Sequence, residues 1–175
     1  MTATWSPKST LGLMRARVLL CVALTALGFA ACSSGDDKPS ACGPAQAQTI
    51  DPLSSQHIFP GSPEPEYSTN PPTSGAHAPG NYPTGIVTTP IAKPAQVALL
   101  EAGQVLVQYK GISSEQRREL AAFAREHDGV TIAPNDSLAS PVVATAWLSM
   151  QRCTAVDTDA LAEFVTMHVG KSRAD

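Results

Sequence analysis

The sequence predicts a small α+β domain in which a short sheet is covered by two helices and a proline-rich, irregular N-terminal half wraps around it. Three patterns carry this. Residues 104–127 run from an alternating apolar stretch into an amphipathic one, and residues 142–169 repeat strand then helix. Ahead of both, ten prolines fall between Pro52 and Pro94, with almost no helical periodicity.

Taken in order, residues 49–94 are expected to be extended segments and tight turns, because proline lacks the amide a helix or central strand needs. Ile58, Phe59, Tyr67, Tyr82, Ile86 and Val87 give this half enough apolar surface to pack on something. Residues 104–109 alternate around Val105, Val107 and Tyr109 and predict a strand. Ser113 with Gln116 forms a capping-box pattern that starts a helix, Leu120, Phe123 and Ala124 line its inner face, and Gly129 stops it. A short strand follows at 130–133, ended by Pro134, and a longer apolar one is predicted over 142–150. Asp157 or Thr158 caps a last helix with Leu161, Phe164, Val165, His168 and Val169 along one stripe.

Upstream of the domain, residues 18–31 form an apolar run preceded by Lys8, Arg15 and Arg17 and closed by Ala30, Ala31 and Cys32. The run is shorter than the roughly 20 residues a membrane-spanning helix needs. It reads as a bacterial lipoprotein signal over 1–31, with Cys32 the lipidated residue; an ordinary secretory signal is the competing reading. Phe29 stands where such a signal more usually has leucine, and Met14 is an alternative start. Residues 32–48 are expected to be a flexible tether, 49–171 the domain and 172–175 a tail. An extracytoplasmic location follows, anchored to the cell membrane or outer membrane by acyl chains.

Losing the leader would leave nine Lys and Arg against 15 Asp and Glu, a net charge of −6. That balance, without any basic and aromatic cluster, disfavours nucleic acid and anionic lipid surfaces as partners. Of the four cysteines, Cys21 belongs to the leader and Cys32 to the lipid. Cys42 and Cys153 remain, and in an oxidising compartment they are expected to form a disulfide; two separate thiols are the alternative.

Three blocks resemble a family: Tyr67-Ser68-Thr69-Asn70-Pro71-Pro72-Thr73-Ser74-Gly75-Ala76-His77, then Val97-Ala98-Leu99-Leu100-Glu101-Ala102-Gly103-Gln104-Val105, and Ala144-Thr145-Ala146-Trp147 running on to Cys153. They are similar to an uncharacterised domain of secreted, lipid- or membrane-anchored bacterial proteins with Y-x-x-N-P-P-T-S-G-x-H and V-H-x-L-E-H-G-x-V patterns. The resemblance covers about residues 57–170. It implies a domain whose function is unknown and whose pattern has histidines where this chain has Ala98 and Ala102.

Imidazoles are ligands for copper or zinc. Only His57 and His77 remain here as metal candidates, and two imidazoles without a third donor make a poor site. No cofactor is therefore expected, copper or zinc being the alternative. Asn70, Thr73, Ser74, Gly75, His77 and Glu101 are the candidate pocket. Ser74 with His77 invites a nucleophile–base reading, but hydrogen bonding within a Pro-Pro turn is favoured. Glu101 lies in an apolar run before a strand, so it is expected to be buried against amides of the 71–75 loop, with a ligand or base role as the alternative. His127 is expected to cap a helix and His168 to be half-buried on one. The preferred function is a lipid-anchored, non-enzymatic binding or structural module facing envelope protein. A metal-handling protein and an envelope hydrolase are the alternatives; the oligomeric state is left open.

Overall fold

A helical crossover sets the sheet. β2 (Val105–Tyr109) is carried through α2 (Ser114–Glu126) into β3 (Val130–Pro134), and a strand reached that way must return parallel, as it does, with Val107 opposite Ile132. The expected capping box is present: Ser113 Oγ accepts from the Gln116 amide, and the Gln116 side chain accepts from the Ser113 amide. Our computed structural model describes residues 39–59 and 61–172. The leader, Cys32, the first seven residues of the expected tether and the last three residues lie outside the described residues.

The remaining strands are antiparallel. β4 (Val142–Ala146) joins β2 on its other side and β5 (Ser149–Cys153) pairs with β4. A two-residue strand, Gln46–Ala47, completes the order as β1-β5-β4-β2-β3. A small α+β domain with a five-stranded mixed sheet and three helices results, the third being α3 (Thr158–His168).

Three details differ from the sequence expectation. The single strand expected over 142–150 is a hairpin that turns at Trp147 and Leu148, the latter at φ 54°. It has none of the Gly or Asn that announces a tight hairpin. Its backbone is held from outside: the Leu148 amide donates to Thr73 O at 3.1 Å and its carbonyl accepts from Gln48 N at 2.8 Å.

The second difference is α1 (Lys93–Glu101), where the irregular half was expected to pass through an apolar run into the next strand and no helix was expected. Pro94 sits in its first turn, where a missing amide costs nothing, so the proline starts this helix instead of breaking it. Helices consequently cover both faces. Leu120, Phe123, Leu161 and Phe164 of α2 and α3 pack with Val105, Val107, Ile132 and Val142. On the opposite face Leu100 of α1 meets Leu106, Ala133 and Val87.

The third is that the sheet reaches into the stretch read as tether. Gln46 and Ala47 pair with Met150 and Ser149, Gly43 N donates to Arg152 O at 2.9 Å, and Cys42 is disulfide-bonded to Cys153. At the far edge, residues 85–87 bond to both sides of Ile132 and cover β3.

A crosslink with a sequence separation of 111 removes much chain entropy from the unfolded state. The Cys42→Ser/Cys153→Ser double variant is expected to lose about 4 kcal/mol, measured by urea unfolding of unreduced protein. An unmoved midpoint would contradict the staple.

Candidate functional site

The loop 67–77 has few backbone amides to spend on regular structure, so side chains organise it. The Tyr67 hydroxyl donates to Ala76 O at 2.8 Å, closing the loop on itself. Its ring fills the space where a Cβ on Gly75 would sit, 2.7 Å from Tyr67 Cδ1, and Gly75 is at φ 131°. Glycine is thus required twice over, by contact and by conformation. Thr69 Oγ1 donates to Pro71 O at 2.9 Å and accepts from the Thr73 amide at 3.2 Å, across a cis Asn70–Pro71 bond. Asn70 Nδ2 reaches out to Ser137 O at 3.2 Å.

Beneath the loop lies Asp51, 4 % exposed. Its Oδ1 accepts from Leu53 N at 2.8 Å, and its Oδ2 from Ser68 N at 2.9 Å and Ser68 Oγ at 2.7 Å. Burial pushes this carboxyl up, but the Ser68 hydroxyl and the amides of Leu53 and Ser68 outweigh it and hold the group below the usual carboxylate range. The Asp51 amide in turn donates to Ser74 Oγ at 2.8 Å. Asp51 thus holds amides in this half of the chain, those of Leu53 and Ser68, in the manner that was expected of Glu101 toward residues 71–75. The sequence signal was Asp51-Pro52-Leu53, an acid able to accept from the amide two residues on.

Glu101 is instead at the last residue of α1 and half-buried, with Oε2 2.5 Å from His77 Nε2. It was expected to be sunk in an apolar run; the helix end turns it toward the loop. His77 is 1 % exposed. Its amide donates to Gln56 O at 3.1 Å and its carbonyl accepts from Ile58 N at 2.9 Å, a parallel bridge that sets His57 and His77 side by side. Paired residues in such a ladder point to one side. Their rings lie 4.7 Å apart at 72°, edge to face. Ligating atoms of His57, His77 and Glu101 all fall within 4.8 Å of one another. Glu101, placed in the candidate pocket with a ligand role as its alternative reading, is the third donor beside the two histidines.

Ser74 is not part of that grouping. Its Oγ takes the Asp51 amide, while His77 Nδ1 lies 3.1 Å from Gly75 O and Nε2 lies against Glu101. Asn70, Thr73, Ser74 and Gly75 thus shape and hold the loop, and His57, His77 and Glu101 converge. The two other histidines stand elsewhere, as expected. His127 Nδ1 lies 2.9 Å from Phe123 O at the end of α2. His168 Nε2 lies 3.2 Å from Ser149 Oγ, and burial, then the Lys171 charge, lowers its pKa. Asn135 Oδ1 accepts from Ser137 N and Oγ, a turn after Pro134.

Asp51 makes the acid limb of stability predictable. Its folded pKa lies below the ordinary value of an aspartate, so its contribution is complete above that ordinary value and disappears as pH falls through the depressed one. Asp51→Asn is expected to lose about 1.5–3 kcal/mol at neutral pH, the gap from wild type narrowing below about pH 4. Thermal melts across pH check this; a gap that stays constant into acid would contradict it.

No curated protein and no solved structure matches this chain. One family model does, described as a protein of unknown function, DUF3105, over residues 62–175, well over half of the sequence. His77 and Glu101 fall inside the matched span and His57 lies just before it. The chain belongs to the DUF3105 family of proteins of unknown function.

Proposed function

We propose that this chain is an exported, lipid-anchored, non-enzymatic module held at the bacterial envelope, with Cys32 carrying the anchor. The observation that carries the reading is the Cys42–Cys153 disulfide. Such bonds persist in oxidising compartments, and this one stands ten residues after the expected lipidation site. Among the described residues no helix is long and apolar enough to cross a membrane.

The bond has a mechanical consequence. β1 is a two-residue edge strand, so a pull on the tether would peel it easily. The disulfide passes that pull to β5 instead, which is paired on both sides. Asp157 adds to the hold, its Oδ2 accepting from Ser40 Oγ at 2.7 Å and Ala41 N at 2.9 Å. An extended segment between positions 32 and 42 spans at most about 35 Å, so the domain would work close to the membrane surface and meet envelope proteins. The loop chemistry favours binding over hydrolysis, because Ser74 and His77 are each engaged with other groups.

Labelled palmitate fed to a bacterial host expressing the full chain tests the anchor. Label in the wild type and none in Cys32→Ser, which also leaves the membrane fraction, is expected. Equal labelling, or an unlabelled wild type, would sink the proposal.

A further inference from the structure

We propose that His57, His77 and Glu101 form a binding site for a divalent first-row transition-metal ion, of the zinc or copper(II) kind. His77 Nδ1 lies 3.1 Å from the Gly75 carbonyl, which can only accept. Nδ1 therefore carries the hydrogen, and in the neutral ring Nε2 presents a lone pair. A metal-binding histidine has this arrangement: one nitrogen donates to a carbonyl, which orients the ring, and the other faces the ion.

Nε2 then meets a second electron-rich atom. Glu101 Oε2 is 2.5 Å away, yet Nε2 is a buried atom without an aligned hydrogen bond. Two lone pairs that close call for a cation between them. His57 supplies a further nitrogen from the exposed side, held level with His77 by the backbone bridge. The cluster runs from exposed His57 through half-buried Glu101 to buried His77, which gives an ion a path in.

Donor chemistry selects the class. Two imidazole nitrogens and one carboxylate suit zinc, copper or iron, whereas calcium and magnesium prefer shells of oxygens. Bonds of 2.0–2.1 Å in a tetrahedron place donors about 3.3 Å apart. The His77–Glu101 pair must open by roughly an ångström and His57 close by up to about 1.5 Å. Both adjustments fall on residues able to make them: Glu101 at a helix end and His57 at the surface. Three protein donors leave at least one position for water or an outside ligand.

The test uses the full, untagged chain in detergent, stripped with EDTA and titrated calorimetrically with zinc, copper(II) and magnesium chlorides. One equivalent of zinc or copper is expected to bind saturably, copper more tightly, and magnesium not at all. His57→Ala and Glu101→Gln are each expected to weaken binding by at least about 10-fold, since even outer-shell changes cost that much. His57 is exposed, so His57→Ala should leave the stripped protein's Tm within about 2 °C, separating ligand loss from misfolding. Wild type that binds neither ion, its pair bridged by a proton alone, would overturn the site. Wild-type affinity in either variant would also overturn it.

Discussion

The carboxylate of Asp51 is the constraint on which the proline-rich half is built. A stretch with ten prolines between positions 52 and 94 is short of amide donors and regular ladders. It must be organised by side chains. Asp51 gathers two amides and a hydroxyl from Leu53 and Ser68, and its own amide fixes Ser74. Residues 51, 68 and 74 are thereby tied at one point, and everything between them is loop. A charged acceptor is stronger here than a neutral one, so one side chain replaces a missing strand. His77 inherits its position from that knot, three residues beyond Ser74.

The two faces of the sheet are closed by different means. On the α2–α3 side, apolar packing of Leu120, Phe123, Leu161 and Phe164 suffices. On the other side, α1 and the proline-rich loop bring polar groups into the interior: Thr73, Ser74, His77 and Gln96 are all buried, as is Gln108 of β2. Polar groups in an interior cost free energy unless satisfied, and on this face Gln96 Oε1, both polar atoms of the Gln108 side chain and His77 Nε2 are buried without an aligned hydrogen bond among the described residues. The first face is therefore the stable platform, and the second carries the cost of its polar groups.

Much of this was legible. The β2–α2–β3 unit followed from alternation, a capping box and a glycine stop, because each is local and redundant. The hairpin at Trp147-Leu148 was not, because its turn is imposed by Thr73 and Gln48 from distant parts of the chain. α1 was hidden by a proline that means opposite things in the first turn and in the interior of a helix. At the site, His57, His77, Ser74 and Gly75 were visible as residue types and turn signals. That Glu101 joins the histidines depends on α1 ending where it does, and that Asp51 holds the loop depends on its meeting Ser68. Neither fact is local, and residue spacing does not encode it.

Glu101 also explains why the site sits at a seam. His77 belongs to the loop that Asp51 organises, and Glu101 ends a helix packed through Leu100 on Leu106 of β2. The two parts of the chain meet at this contact, so the pairing of Nε2 with Oε2 links the loop to the sheet. Ala98 lies one helical turn before Glu101, on the same side of α1, and Ala102 just after it. In the pattern this chain resembles, both positions are histidine. With alanine there, the helix contributes a carboxylate alone, and the burden of ligation shifts to the loop. The cluster draws one donor atom from the end of a helix and two from a bridge whose one half, His57, is exposed. In the proposed metal site that asymmetry would favour an ion that enters and leaves over one permanently caged.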